Sequence, residues 1–228
     1  MTRPGWQLVP GERSVRSSQV WFRLLDDFTS RAPIEQVTVR LDQQDGAGWT
    51  PLDDVRATIT TTGMVAFPGL DRRRPIAGLP PRHFRVRIES EHYRPLYRQL
   101  ASGVEFQTMP DVDDLAAAPP VVRQDLVLLP SVTYPYPAHV YTVRGEVRTQ
   151  AGAPVEDVVV SNRVQIGATI RTEQTLTDDR GAFALALRFV AAGKTAQVTA
   201  IDRRTQRTGT ANVAVPGDLR RSQLVTII

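Results

Sequence analysis

Three histidines, His83, His92 and His139, are the side chains best suited to hold a metal or to move a proton near neutral pH. A hydrolytic zinc centre needs three nitrogen or carboxylate ligands on one ion, two of them usually from one short spacing such as H-E-x-x-H. These histidines offer no such spacing, so each reads as a strand or loop residue with an ordinary hydrogen bond. No metal site is expected. The absence of cysteine excludes thiolate clusters, thiol nucleophiles and disulfides. Asp111-Val112-Asp113-Asp114 sets oxygen ligands at alternate positions, as the start of a calcium loop does. It lacks the sharp-turn glycine and the closing glutamate and reads as a solvated acidic linker. Asp178 and Asp179 are better explained by turn chemistry. Gly46-Ala47-Gly48-Trp49 has no phosphate-cradling G-x-x-x-x-G-K pattern and lies where a hairpin tip is expected. Trp49 at that tip is suited to stack on a sugar, to fold back on the sheet edge or to meet a protein. A carbohydrate-binding module is therefore the alternative function, and a hydrolase would require separated Asp, Glu and His residues to converge. With no assembled nucleophile, base or cofactor loop, the sequence predicts a protein that is not an enzyme, with no catalytic residues and no cofactor.

The elements that would carry these residues are strands. Val37, Val39 and Leu41 alternate with Thr38, Arg40 and Asp42; Val55, Ala57 and Ile59 with Arg56, Thr58 and Thr60; Phe84, Val86 and Ile88 with Arg85, Arg87 and Glu89. The period of two returns from Tyr141 to Arg148 and from Ala182 to Phe189. The best helical signal is one turn from Asp111 to Ala118, ended by Pro119 and Pro120. Short strands punctuated by Gly, Pro and Asp predict an all-β chain of antiparallel sandwiches.

Length and charge bound the partners. The chain has 228 residues, 41% of them apolar, with 28 basic against 24 acidic residues and a formal charge of +4. That size supports one or two domains with cores of their own. Nearly all the basic residues are arginine, Lys194 being the only lysine, and they are spread along the chain. Modest clusters stand at Arg72, Arg73, Arg74 and at Arg203, Arg204, Arg207. No helical reader or aromatic-basic signature accompanies them, which argues against nucleic acid. No run approaches the roughly 18 apolar residues of a membrane helix, and the first ten residues have no export-type apolar segment. A soluble, cytoplasmic chain with no membrane partner is expected.

An internal repeat sets the organisation. Ala32-Pro33-Ile34-Glu35-Gln36-Val37-Thr38-Val39 lines up with Ala153-Pro154-Val155-Glu156-Asp157-Val158-Val159-Val160. Downstream in each copy a threonine-rich strand enters a tight turn and an aromatic strand, Thr61-Thr62-Gly63-Met64-Val65-Ala66-Phe67 in the first and Thr177-Asp178-Asp179-Arg180-Gly181-Ala182-Phe183 in the second. The expected division is an N-terminal arm over residues 1–16, a first sandwich over 17–130 with an irregular acidic, proline-rich segment near 108–120, a Tyr-Pro connector over 131–139 and a second sandwich over 140–228. Leu126 to Leu129 reads as the last strand of the first sandwich.

In the second copy, Val143-Arg144-Gly145-Glu146-Val147, Gly152-Ala153-Pro154-Val155 and Thr177-Asp178-Asp179-Arg180-Gly181-Ala182-Phe183 resemble the carboxypeptidase regulatory-like family of transthyretin-like sandwiches. The first copy is similar through Gly63 to Leu70, Gly78 to Ile88 and Tyr93-Arg94-Pro95. It departs where Arg82 replaces a loop glycine and where Leu24-Leu25 replaces the Gly-x-Val start. The resemblance covers about residues 17–105 and 140–215 and implies two tandem transthyretin-like sandwiches acting as adaptors or rigid spacers. The chain ends Leu224-Val225-Thr226-Ile227-Ile228, without the Tyr-Arg-Gly-Ser of the transthyretin-like hydrolases of purine breakdown. The connector from Leu128 to Pro137, running into Val143-Arg144-Gly145, looks like a junction in accessory proteins of phage-tail-like contractile injection systems. That resemblance implies a structural part of the particle, a cap or an adaptor, released with it from the cell.

The expected function is thus a structural adaptor making protein-protein contacts in a multi-subunit assembly. Its candidate partner-binding residues are Trp6 and Leu8 in the arm, Arg72, Arg73 and Arg74 in a loop, and Tyr134 and Tyr136 in the connector. An arm ordered against a surface must offset roughly 1–2 kcal/mol per residue of backbone entropy. Adjacent arginine forks suit an acidic face, and proline-held tyrosines make low-entropy anchors. The plainer reading of Tyr134 and Tyr136 is that they pack against both neighbouring sandwiches.

Overall fold

A computed structural model describes residues 18–71, 79–109 and 122–228. Trp6, Leu8, Arg72, Arg73, Arg74, the calcium-like acidic run and the turn expected from Asp111 to Ala118 lie outside the described residues. The chain is all-β, with two tandem sandwiches. The first holds β1 (Val20–Asp26), β2 (Thr38–Asp45), β3 (Gly48–Pro51), β4 (Thr58–Ile59), β5 (Met64–Ala66), β6 (Arg82–Glu89), β7 (Tyr93–Pro95), β8 (Val104–Thr108) and β9 (Val122–Pro130). The second holds β10 (Tyr141–Thr149), β11 (Val159–Ile166), β12 (Thr169–Leu176), β13 (Ala182–Leu187), β14 (Thr195–Asp202), β15 (Arg207–Ala214) and β16 (Gln223–Ile227).

The sheet order is β4-β5-β1-β9-β7 over β3-β2-β6-β8 in the first sandwich, and β13-β10-β16 over β12-β11-β14-β15 in the second. Without β4 and β7 the two orders are the same. Among the described strands, pairing is antiparallel except for one parallel pair in each sandwich, β1 with β9 and β10 with β16. Turn bonds repeat as well: Leu24 N–H donates to the Gly63 carbonyl at 2.8 Å, and Val147 N–H to the Gly181 carbonyl at 2.8 Å. Both glycines have positive φ, +79° and +74°. A Cβ there would stand 2.8 Å from the Leu24 carbonyl oxygen in one copy and 2.5 Å from that of Val147 in the other, so the close approach requires glycine twice.

The same pairing explains why the Gly-x-Val start is missing from the first copy. The position of Gly145 is taken by Phe22, two residues before Leu24. Gly145 faces Phe183 across β10 and β13, whereas Phe22 faces Val65 across β1 and β5. A Cβ on Gly145 would lie 2.7 Å from the Phe183 ring. One aromatic side chain fills the space in each sandwich, carried by opposite strands, as close packing of a fixed volume demands.

Alternation becomes burial. In β1, Val20, Phe22, Leu24 and Asp26 are buried and Arg23 is exposed; in β6, Phe84, Val86 and Ile88 are buried. Phe106 sits between Phe22 and Phe84, with centroids 5.5 Å and 5.7 Å away. The second core gathers Val143, Val147, Val158, Val160, Phe183, Leu185, Leu187, Val198 and Val225. The strand expected from Val55 to Thr60 is only Thr58–Ile59. Asp53 and Asp54 turn the chain instead, and Leu52 N–H bonds to the Leu41 carbonyl at 2.8 Å. A third apolar cluster, Leu129, Val159 and Leu176 with Leu96 and Val127 against it, lies between the sandwiches.

Candidate functional site: the junction between the sandwiches

The junction starts from consecutive apolar residues. Leu128 faces the first core, so Leu129, its neighbour on β9, points the other way; both are fully buried because Val159 and Leu176 of the second sandwich cover Leu129. Fully burying one leucine contributes about 1.5–3 kcal/mol. Thr175 Oγ1, buried on β12, donates to the Pro130 carbonyl at 2.6 Å, an acceptor at the end of β9 that would otherwise lack a partner.

Two arginines flank the apolar seam. Pro95 ends β7 and the short 3-10 turn Leu96–Gln99 follows, which brings Arg94 and Arg98 to the same side. Arg94 donates to the Thr177 carbonyl at 2.6 Å and to Glu156 at 3.0 Å. Arg98 donates to Asp157 at 3.0 Å and to Glu156 at 2.9 Å. Asp157 is buried and holds a positive φ of 57°. Burial lowers the Arg98 pKa, but the Asp157 hydrogen bond and the charges of Asp157 and Glu156 outweigh it, leaving the guanidinium more firmly protonated than usual. Arg204 extends the group through Asp202 and the Glu156 carbonyl. Clefts of about 450 Å³ and 310 Å³ lie against Arg98, and every arginine lining them is already paired with a carboxylate.

A second polar group stands behind the connector. Asp26, fully buried at the end of β1, accepts from Tyr134 Oη at 2.8 Å, Tyr93 Oη at 3.1 Å, Thr29 Oγ1 at 2.9 Å and Phe28 N–H at 2.8 Å. Tyr134 is 4% exposed, and its ring meets Tyr136 with centroids 4.7 Å apart and Phe28 at 5.6 Å. Tyr136 reaches across to the Ala184 carbonyl at 3.2 Å. Burial is the main reason why all three tyrosine hydroxyls, of Tyr93, Tyr134 and Tyr136, resist ionisation, with the Asp26 charge adding to it. Arg188 lies 5.0 Å over the Phe28 ring and donates to the Phe28 carbonyl. Gln174 donates to Asp27 at 3.3 Å. Burial raises the Asp27 pKa, with the Gln174 bond and the Arg188 charge opposing it only in part.

The structure brings Tyr134 and Tyr136 together, and places both within the junction. The remaining candidates are apart. His83 is exposed on β6, His139 is exposed, and His92 lies 3.6 Å from Glu35 and 3.4 Å from Thr133. Among the described residues no group of three His, Asp or Glu side chains is placed to share a metal. Trp49 is half-buried with the Arg85 guanidinium 4.7 Å over its ring, so one face is already covered. Asp178 accepts from Arg180 and Ala182 N–H at 2.9 Å and 2.8 Å, which is turn chemistry.

Alternation alone does not identify Arg94, Arg98, Glu156 and Asp157, because their partners lie about 60 residues away. One signal was present. Leu126-Val127-Leu128-Leu129 and Val158-Val159-Val160 are unbroken apolar runs, which mark strands covered on both faces.

No family model and no curated protein matches the chain. Among solved structures, the Bacillus anthracis TIE protein superposes over 92% of this chain and 32% of its own length, at 7% identity and a TM-score of 0.28. The Streptococcal ancillary pilin covers 91% of this chain and 61% of its own, at 9% identity and 0.30. The shaft pilin SpaA of Lactobacillus rhamnosus GG covers 92% and 98%, at 10% identity and 0.29. The chain thus spans about a third of the first of these proteins and about three fifths of the second.

Proposed function

We propose that the protein is a non-enzymatic structural adaptor, a locked pair of sandwiches that holds protein partners at a fixed separation in a larger assembly. The observation that carries this reading is the junction. Tandem domains move relative to one another unless their interface is extensive and apolar. Here a buried Leu129-Val159-Leu176 seam is flanked by Arg94 and Arg98 on the Glu156-Asp157 pair and by Tyr136 and Arg188 on the opposite sandwich. A junction made this way transmits position, which is what an adaptor does and what a flexibly tethered binding module does not need.

The residues at the connector add the finer form of the proposal: a cap or adaptor of a contractile injection particle, built from carboxypeptidase regulatory-like sandwiches, carried with the particle, and attached through the arm with Trp6 and Leu8 and the loop Arg72, Arg73 and Arg74. The test is affinity capture of the tagged full chain from its own cells, followed by sedimentation. Stoichiometric co-sedimentation with a defined set of proteins is expected. Recovery of the chain as a free monomer under gentle lysis would contradict the reading, and recovery in an assembly without tail-type proteins would remove the particle while keeping the adaptor.

A further inference from the structure

Beyond Asn162 the β11–β12 hairpin leaves its sheet. β11 pairs with β14 only from Val159 to Asn162, while its ladder with β12 continues to Ile166 and Thr169. β14 itself runs on to Thr195 against β15, so β11 and β14 diverge at Arg163. Residues 163–172 form a two-stranded ribbon in which every residue but half-buried Val164 is exposed, including Ile166 at 48% and Ile170 at 58%. Gly167, at φ +59°, opens the two-residue turn as a type II′ hairpin requires.

The register decides which backbone groups are unused. With Gly167 and Ala168 as the loop, Ile166 and Thr169 are the pair that exchanges hydrogen bonds. The next pair, Gln165 and Ile170, therefore turns its N–H and C=O groups outward, as do Arg163 and Thr172. Proteins usually blunt such an edge with proline, a bulge or lysine. Residues 163–172, Arg-Val-Gln-Ile-Gly-Ala-Thr-Ile-Arg-Thr, hold no proline and are rich in β-branched side chains. A two-stranded ribbon is marginal in water and gains from a third strand.

We propose that this ribbon docks an acidic extended segment of a partner protein, which adds as a third strand along the β12 edge. The proposal deepens the adaptor reading and rests on it. The ribbon's only charges are Arg163 and Arg171, and among the described residues neither has an ion-pair partner. Val164 pairs with Arg171 and Arg163 with Thr172, which puts the two guanidiniums on opposite faces of the ribbon. A strand with carboxylates at successive positions meets one arginine on each face. A second copy of this ribbon would set arginine near arginine, and like charges across a ladder are destabilising. Two arginines on opposite faces also make no continuous track for a phosphate backbone. The β12 edge is the open one, because a strand added along β11 would run into β14 at the fork.

The test uses the full chain and a decapeptide of the repeat Val-Val-Glu-Glu, whose adjacent glutamates face both sides of the strand, with the Val-Val-Lys-Lys peptide as control, read by amide chemical shifts and titration. Saturable shifts confined to 163–172 are expected with the acidic peptide only. R163S/R171S takes the formal charge from +4 to +2 and should weaken binding at least tenfold. I170P removes an outward donor without breaking the β11–β12 ladder and should abolish binding while the cooperative melt is kept. No shifts with the acidic peptide, equal shifts with the lysine peptide, or binding undiminished in R163S/R171S would each overturn the proposal. Capture of the assembly by tagged R163S/R171S at wild-type yield would also overturn it and leave the adaptor standing. Peptide binding by a chain that is a free monomer in cells would support the ribbon and remove the adaptor.

Discussion

Asp26 and its neighbour Asp27 sit side by side at the end of β1 and are used in opposite ways. Asp26 accepts from two tyrosine hydroxyls, one threonine hydroxyl and a backbone N–H. Asp26→Ala should strand several buried donors at once and cost about 3 kcal/mol, against about 1 kcal/mol for Tyr134→Phe, measured by urea unfolding. Asp27 is held above its ordinary pKa by burial. Its charged form is therefore less favourable folded than unfolded, and stability is gained as pH falls through the folded pKa. Asp27→Asn should raise the melting temperature at pH 7, with the gain shrinking in acid. Asp42 runs the other way: burial alone would raise its pKa, but Arg87 and Arg85 outweigh that and hold it low. Its contribution is present above the unfolded value and lost as pH falls through the folded one, so Asp42→Asn should destabilise at pH 7 and progressively less as the pH is lowered into acid. Both are read from melting curves of wild type and variant over a pH series. In the sequence Asp42 was legible only as the polar member of an alternating strand, because the two arginines that neutralise it belong to β6.

The turns between strands were the most legible part of the fold, because their residue types answer to backbone geometry. The Gly63 and Gly181 turns belong to the repeat written in the sequence together with the Ala-Pro turns and Val-rich strands, and each puts a positive φ against a carbonyl of the first strand of its sandwich. Gly181→Ala should cost about 3 kcal/mol, since it combines the left-handed strain with a clash on the Val147 carbonyl. Gly152→Ala, at φ +82° with open space around it, should cost only about 1 kcal/mol in the same chemical denaturation measurement. Partners of strands were less legible. Alternation tells which side chains are buried and leaves open which edge meets which, so the parallel pairing of β1 with β9 and of β10 with β16 could not be read from it. The expected strand at Val55 to Thr60 shrinks for a related reason: Val55 and Ala57 pack against the core from a loop and need no ladder to do so.

Fold class and tandem organisation followed from the repeat, whereas the junction did not, since its ion pairs join residues of different sandwiches. Its apolar half was nonetheless written in the unbroken runs at Leu126 to Leu129 and Val158 to Val160. The fragment 138–228 contains a full set of strands and a core of its own. It should fold cooperatively, yet melt below the full chain, because separation uncovers Val159 and Leu176 and leaves Thr175 without its Pro130 acceptor. The locked junction itself is tested most directly by backbone N–H residual dipolar couplings of the full chain in a weakly aligning medium. Couplings from the first sandwich and from the second should fit one alignment tensor of common magnitude and orientation, as for a single rigid body. Two tensors of different magnitude would mean that the sandwiches reorient independently, and the fixed-separation adaptor would be contradicted.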